Sequence, residues 1–145
     1  MTEKRAGMNP GETLRVLVAE DNKEMRRLLV WALKKKGFQV TEACNGPDLM
    51  YRLSTQAGPR TRYDLLVSDV RMPHMTGLEV MQGLQRMMRL LPPTILITAF
   101  GDDQIHRTAR QLGAAVIDKH FELDDLIDKI EEILSRREAT TSDTH

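Results

Sequence analysis

Apolar residues in this chain alternate between short solid runs and longer stripes, and that alternation predicts the architecture. Runs rich in Val, Ile and Leu cover residues 14–19, 38–42, 64–68, 94–98 and 114–118. Solid runs of this length fit strands buried on both faces, as in a parallel sheet. The run at 38–42 is the weakest, being short and half polar. Stripes at helical spacing cover residues 22–36, 46–57, 78–90, 102–112 and 122–137. The first carries Met25, Leu28, Leu29, Ala32 and Leu33 on one face, then Lys34, Lys35 and Lys36 at the negative end of the helix dipole, and Gly37 ends it. Pro92 and Pro93 end the third, and Gly113 ends the fourth. The fifth repeats the stripe with Leu123, Leu126, Ile127, Ile130, Ile133 and Leu134. Five strands alternating with five helices imply an α/β fold, a parallel sheet covered on both faces through right-handed crossovers. Residues 13–137 are expected to form one domain, between a flexible polar arm at 1–12 and a frayed tail at 138–145.

The polar residues at the strand ends carry the chemistry. Glu20 and Asp21 follow the first strand, Asp69 follows the third, Thr98 closes the fourth and Lys119 follows the fifth. In an open parallel sheet the carboxyl ends of the strands share one edge, where ligands bind, so these distant residues converge on one crevice. Three carboxylates held close repel one another unless a cation sits among them. Oxygen donors without His or Cys at ligand spacing point to a hard divalent ion, Mg2+ or Mn2+. A carboxylate nucleophile, a metal, a lysine and a hydroxyl together make a phosphoryl-transfer site.

These segments are Glu20-Asp21 in VLVAEDN, Asp69 with Pro73 and Gly77 in VSDVRMPHMTG, Thr98 in ILITAFGD and Lys119 in VIDKHF. In this order and spacing they resemble the receiver domain of two-component response regulators, across roughly residues 14–137. The resemblance implies a doubly wound, flavodoxin-like five-stranded parallel sheet in the order 2-1-3-4-5, with five helices on two faces. It implies that Asp69 accepts a phosphoryl group from the phosphohistidine of a sensor histidine kinase or a histidine phosphotransfer protein. Asp21, Asp69 and the main-chain carbonyl of Arg71 would hold the metal, with Glu20 acting through metal-bound water. Lys119 would pair with a carboxylate or phosphoryl oxygen, and Thr98 would turn inward to the phosphoryl group. The chain would catalyse only its own phosphorylation and dephosphorylation, and would signal by contact with an output protein.

Two positions depart from the family pattern. The aromatic residue usual three places before the lysine is Val116 here, stiff about its first torsion and without a ring to swing inward. A switch surface between the fourth helix and fifth strand, with Val116, Phe100, Ile105 and His106, would therefore work without that rotamer change. The proline usual after the lysine is His120. A cis bond before a non-proline residue costs about 3–4 kcal/mol, so a trans bond with a rearranged loop is expected. Arg71 and Phe100 would flank the path of the hydrolytic water, with Phe100 shielding the acyl phosphate.

Composition narrows the alternatives. With 145 residues, 41% hydrophobic and 29% charged, the chain matches one soluble globular domain. Lys plus Arg equal Asp plus Glu at 21 each, so charge gives no argument for nucleic-acid binding by this chain. No apolar run approaches a membrane span, no secretory signal opens the chain, and the single Cys44 fits a reducing cytoplasm. Trp31 lies beside the first helix stripe, either at the core edge or in a partner contact. Competing readings are an interaction scaffold with a vestigial site, motivated by Val116 and His120, or the receiver part of a longer transcriptional regulator. A haloacid-dehalogenase-like phosphatase needs a second acid where Arg71 stands, and a nucleotide-binding Rossmann domain needs glycines where Glu-Asp-Asn stands.

Overall fold

The computed structural model describes residues 13–56, 61–72, 74–87, 91–99 and 103–142, with side chains to residue 136. Five strands, β1 (Arg15–Ala19), β2 (Gln39–Ala43), β3 (Leu65–Asp69), β4 (Thr94–Thr98) and β5 (Ala115–Asp118), alternate with five helices. These are α1 (Lys23–Lys35), α2 (Gly46–Ser54), α3 (Gly77–Arg86), α4 (Asp103–Leu112) and α5 (Leu123–Ser142). The strands form one sheet in the order β2-β1-β3-β4-β5, every neighbouring pair parallel.

Alternation along each strand sends successive side chains to opposite faces. Val16, Val18, Leu65, Val67, Ile95 and Ile97 meet Leu29 and Leu33 of α1 and the α5 stripe Leu126, Ile127, Ile130 and Leu134. Leu17, Ala19 and Leu66 face the other way, onto Leu49 and Leu53 of α2 and Val80 and Leu84 of α3. A third apolar cluster joins Val70, Met81 of α3, Leu96 of β4 and Ala109 of α4. Central strands β3 and β4 are buried throughout, whereas β2, on the sheet edge, keeps a half-polar surface, which is why its run was the faintest in the sequence.

Three sequence expectations shift. In α1 the buried arc is Leu29, Val30, Ala32 and Leu33, and Leu28 is 45% exposed. At about 100° per residue, the sheet-facing side is centred on Leu29 and Leu33, which turns Leu28 outward and Val30 inward. Trp31 is exposed, with the Lys35 ammonium 4.8 Å from its ring centroid, so it is not part of the core. Helix α5 runs to Ser142, past residue 137, so residues 138–142 are helical rather than frayed; no Gly or Pro stands there to stop it. The arm at 1–12, the expected helix start at Asp102 and residues 143–145 lie outside the described residues.

Candidate functional site

Helix starts and strand ends bring the polar residues to the carboxyl edge of the sheet. The chain leaves β1 at Glu20, whose N–H still donates to the Ala43 carbonyl of β2 at 3.1 Å. Asn22 then caps α1, its side chain accepting from the Met25 N–H at 2.9 Å. Asp69 is the last residue of β3, beside Ile97 of β4. One more rung, the Val70 N–H to the Ile97 carbonyl at 2.9 Å, carries the chain past it. The start of α3 is clamped beneath that strand end. A Cβ on Gly77 would sit 2.8 Å from the Asp69 carbonyl and 3.0 Å from Ser68 Oγ, so only glycine fits without a shift. A capping box between Thr76 and Glu79 fixes the same turn.

Glu20, Asp21 and Asp69 each offer a carboxylate oxygen, and these oxygens lie within 4.8 Å of one another. Glu20 is fully buried, Asp69 is 2% exposed and Asp21 is exposed, so the group opens to solvent on the Asp21 side. Lys119 Nζ reaches Asp69 Oδ2 at 2.9 Å and stands 3.8 Å from Glu20 Oε1. The other Asp69 oxygen, Oδ1, accepts the Arg71 N–H at 3.1 Å, which ties the turn carrying the Arg71 carbonyl to the site. Thr98 is buried at the end of β4, and its carbonyl accepts the Lys119 N–H at 2.7 Å.

That last bond explains how the lysine is placed. The peptide bonds of the described residues are all trans, Lys119–His120 included, as expected for a non-proline residue. The Lys119 N–H extends the β4–β5 ladder before the chain reaches His120, and the Phe121 N–H closes a turn onto the Asp118 carbonyl at 3.1 Å. The sheet sets the position of Lys119, and the trans bond to His120 follows that last rung.

The electrostatics follow from burial and crowding. Burial first, then the hydrogen bond and charge of Asp69, push the Glu20 carboxyl up to about 8, against a smaller opposing pull from the Asn22 N–H. Burial works against the Lys119 ammonium, but the Asp69 hydrogen bond and the charges of Asp69, Glu20 and Asp21 outweigh it and raise its pKa above the ordinary value. Glu20 Oε1 is buried and finds no hydrogen-bond donor among the described residues. An orphaned oxygen in an all-carboxylate donor set fits a hard cation.

Of the expected switch positions, Val116 and Ile105 are half-buried and pack onto the cluster of Val70, Met81, Leu96 and Ala109, while His106 is exposed on α4. Phe100 and Pro73 lie outside the described residues. One residue of the site escaped the sequence reading. Arg26 Nη1 donates to the Glu20 carbonyl at 2.7 Å, and its Nε donates to Glu42 Oε1 at 3.1 Å. The signal was present: Arg26 shares a face, at i+4 and i+7, with Val30 and Leu33, so a charge stands on a buried stripe.

A doubly wound parallel sheet that gathers three carboxyls and a lysine at its strand ends defines a signalling receiver fold of the chemotaxis-regulator type. The chain belongs to the response regulator receiver domain family of two-component systems, whose pattern matches residues 16–131. It is 36% identical over 124 residues to the response regulator receiver protein CpdR of Brucella abortus, covering 83% of this chain and 96% of that protein. It is 32% identical over 129 residues to the transcriptional regulatory protein PdtaR of Mycobacterium tuberculosis, covering 87% of this chain and 60% of that one. A CheY-like receiver domain structure from Methanospirillum hungatei superposes with a TM-score of 0.79 at 22% identity, over 89% of this chain and 99% of that chain. No described helix is long and apolar enough to cross a membrane.

Proposed function

We infer that this receiver takes a phosphoryl group on Asp69 from the phosphohistidine of a sensor histidine kinase or a histidine phosphotransfer protein, in the cytoplasm. The carrying observation is the 2.9 Å contact of Lys119 Nζ with Asp69 Oδ2 beside a carboxylate triad. An Asp69 oxygen attacks phosphorus, the P–N bond to histidine breaks, and the electron pair leaves with the imidazole. Lys119 answers the negative charge that gathers on the phosphoryl oxygens, and buried Thr98 offers a hydroxyl beside the same strand end. The Arg71 N–H holds the carboxylate in place through Oδ1. Asp21, Asp69 and the Arg71 carbonyl would hold Mg2+ or Mn2+, with Glu20 behind them. The ion supplies charge neutralisation for phosphoryl transfer. Output would pass through the α4–β5 side, where Ile105 and Val116 share a cluster with Val70, the residue after Asp69. The chain spans 60% of the length of PdtaR, and an output in a separate protein or in a further domain would be driven from the same site.

The test is incubation with Mg2+ and acetyl phosphate, read by intact mass. Gain of one phosphoryl group, lost in Asp69→Asn, is the expected result. No gain from acetyl phosphate or a phosphorylated kinase would leave an interaction scaffold instead.

A further inference from the structure

We propose that Arg26 is the positioning residue of the acidic pair, pinning the peptide between Glu20 and Asp21 so that both carboxylates face the cation site. The inference rests on the metal-dependent reading above and adds a residue to it.

The β1–β2 register ends with Ala19 opposite Ala43, and the Glu20 N–H makes the last rung. The Glu20 carbonyl beyond it needs another donor, because main-chain oxygens at buried positions are rarely left bare. Arg26 supplies it, at 2.7 Å. That carbonyl belongs to the planar unit joining Glu20 to Asp21. Holding its oxygen therefore fixes the unit from which both side chains spring, and rotation of that plane would swing one carboxylate away from Asp69.

The guanidinium is itself held from both sides. Its side chain is 16% exposed, on the face of α1 that carries Val30 and Leu33. Its Nε is bound by Glu42 on edge strand β2 at 3.1 Å. Glu42 is half exposed, and an exposed ion pair alone contributes little to stability. The pair's geometry points elsewhere: it ties α1, β1 and β2 together at the turn that bears two of the three acids. Glu42 answers the Arg26 charge, so the guanidinium acts on the acids through the peptide it holds rather than by a bare field. A lysine cannot reproduce this, because one ammonium lacks the rigid fork that spans carbonyl and carboxylate.

Isothermal titration of the whole chain with Mg2+ tests the proposal. Arg26→Met is expected to bind Mg2+ about 10-fold more weakly or worse, the usual scale for residues that orient metal ligands. Arg26→Lys is expected to fall between it and wild type. Glu42→Ala should give a smaller loss than Arg26→Met, and the double variant should be no worse than Arg26→Met alone, because Glu42 acts through Arg26. With acetyl phosphate, the Arg26→Met defect should appear in the Mg2+ concentration needed for half-maximal rate and shrink at saturating Mg2+. An Arg26→Met chain that melts earlier but binds Mg2+ as tightly as wild type would overturn the proposal, leaving Arg26 a structural residue. Should Arg26→Met fail to fold, wild-type affinity in Arg26→Lys would overturn it equally. A wild type with no Mg2+ binding that Asp69→Asn weakens would overturn the metal-site reading, and this inference with it.

Discussion

Two buried carboxyls share one ammonium at the heart of the site, and that imbalance makes its behaviour depend on pH. Glu20 titrates near 4.5 when unfolded and at about 8 in the folded chain, so the fold retains a proton that the unfolded chain has shed. A carboxyl shifted upward stabilises the fold fully below the lower value, and that contribution drains away as pH rises toward the upper one. Without metal, stability should therefore fall between about pH 5 and pH 8, by about 2–4 kcal/mol in urea titrations. In Glu20→Gln that slope should be largely gone, since the amide has no proton to lose. A divalent ion competes with the same proton, so the rise in melting temperature on adding Mg2+ should be larger near pH 8 than near pH 6. Equal rises at both would show that Glu20 is not part of the ion's surroundings. Lys119→Met tests the other side of the balance. It removes the cation 2.9 Å from Asp69, and phosphorylation by acetyl phosphate should slow about 100-fold, the scale of losing one charge-stabilising group. A time course by intact mass measures it.

Between elements, the precision of the site depends on close backbone approaches. Gly77 opens α3 against the Asp69 carbonyl, and the atoms a Cβ would meet are the main chain of β3 and the Ser68 hydroxyl, which bonds the same carbonyl at 3.0 Å. Neither is the loose end of a flexible side chain, so Gly77→Ala must push α3 from β3. Destabilisation of about 1–3 kcal/mol is expected, typical of overpacking, with slower phosphorylation because Asp69 moves. A urea midpoint unchanged from wild type would contradict it. At this scale the sequence was most readable where both faces of a strand are covered. The β4 run matched its strand from Thr94 to Thr98, and the nearness of Asp69, Lys119, Glu20 and Asp21 was legible because strand ends in a parallel sheet share an edge. Less was readable where tertiary context decides. The stripe of α1 is expected to bury Leu28, and only the sheet beneath chooses Val30 instead. His120 was visible as a departure, but the position of Lys119 depended on its N–H already belonging to the β4–β5 ladder. Arg26 shares the face of Val30 and Leu33, but its partners, a carbonyl at the end of β1 and a glutamate on β2, are remote in sequence, so its contact with the acidic pair shows only in the fold.

Across the whole molecule, anchoring is uneven, and the unevenness bears on how the site reports its state. Helix α1 buries four residues and α5 buries Leu126, Ile127, Ile130 and Leu134 against the sheet, whereas α4 fully buries Ala109 alone. Its neighbour β5 is the far edge strand and has no fully buried residue. Elements with little buried apolar surface open most readily. The cluster that holds α4 contains Val70, the residue after Asp69, and Leu96 of β4, so a shift at Asp69 would reach α4 and β5 through packed side chains. Val116 has no ring to carry a rotamer change, so the response is expected as altered opening of α4 and β5 rather than a single side-chain swing. Hydrogen exchange should show the α4 amides as the least protected of the five helices before phosphorylation. On treatment with Mg2+ and acetyl phosphate, exchange should change several-fold in residues 103–118 and little in α1 and α5, and Asp69→Asn should abolish the change. Protection in α4 equal to that of α5, or a response confined to α1, would place the output on the opposite face of the sheet from Val70 and Ala109.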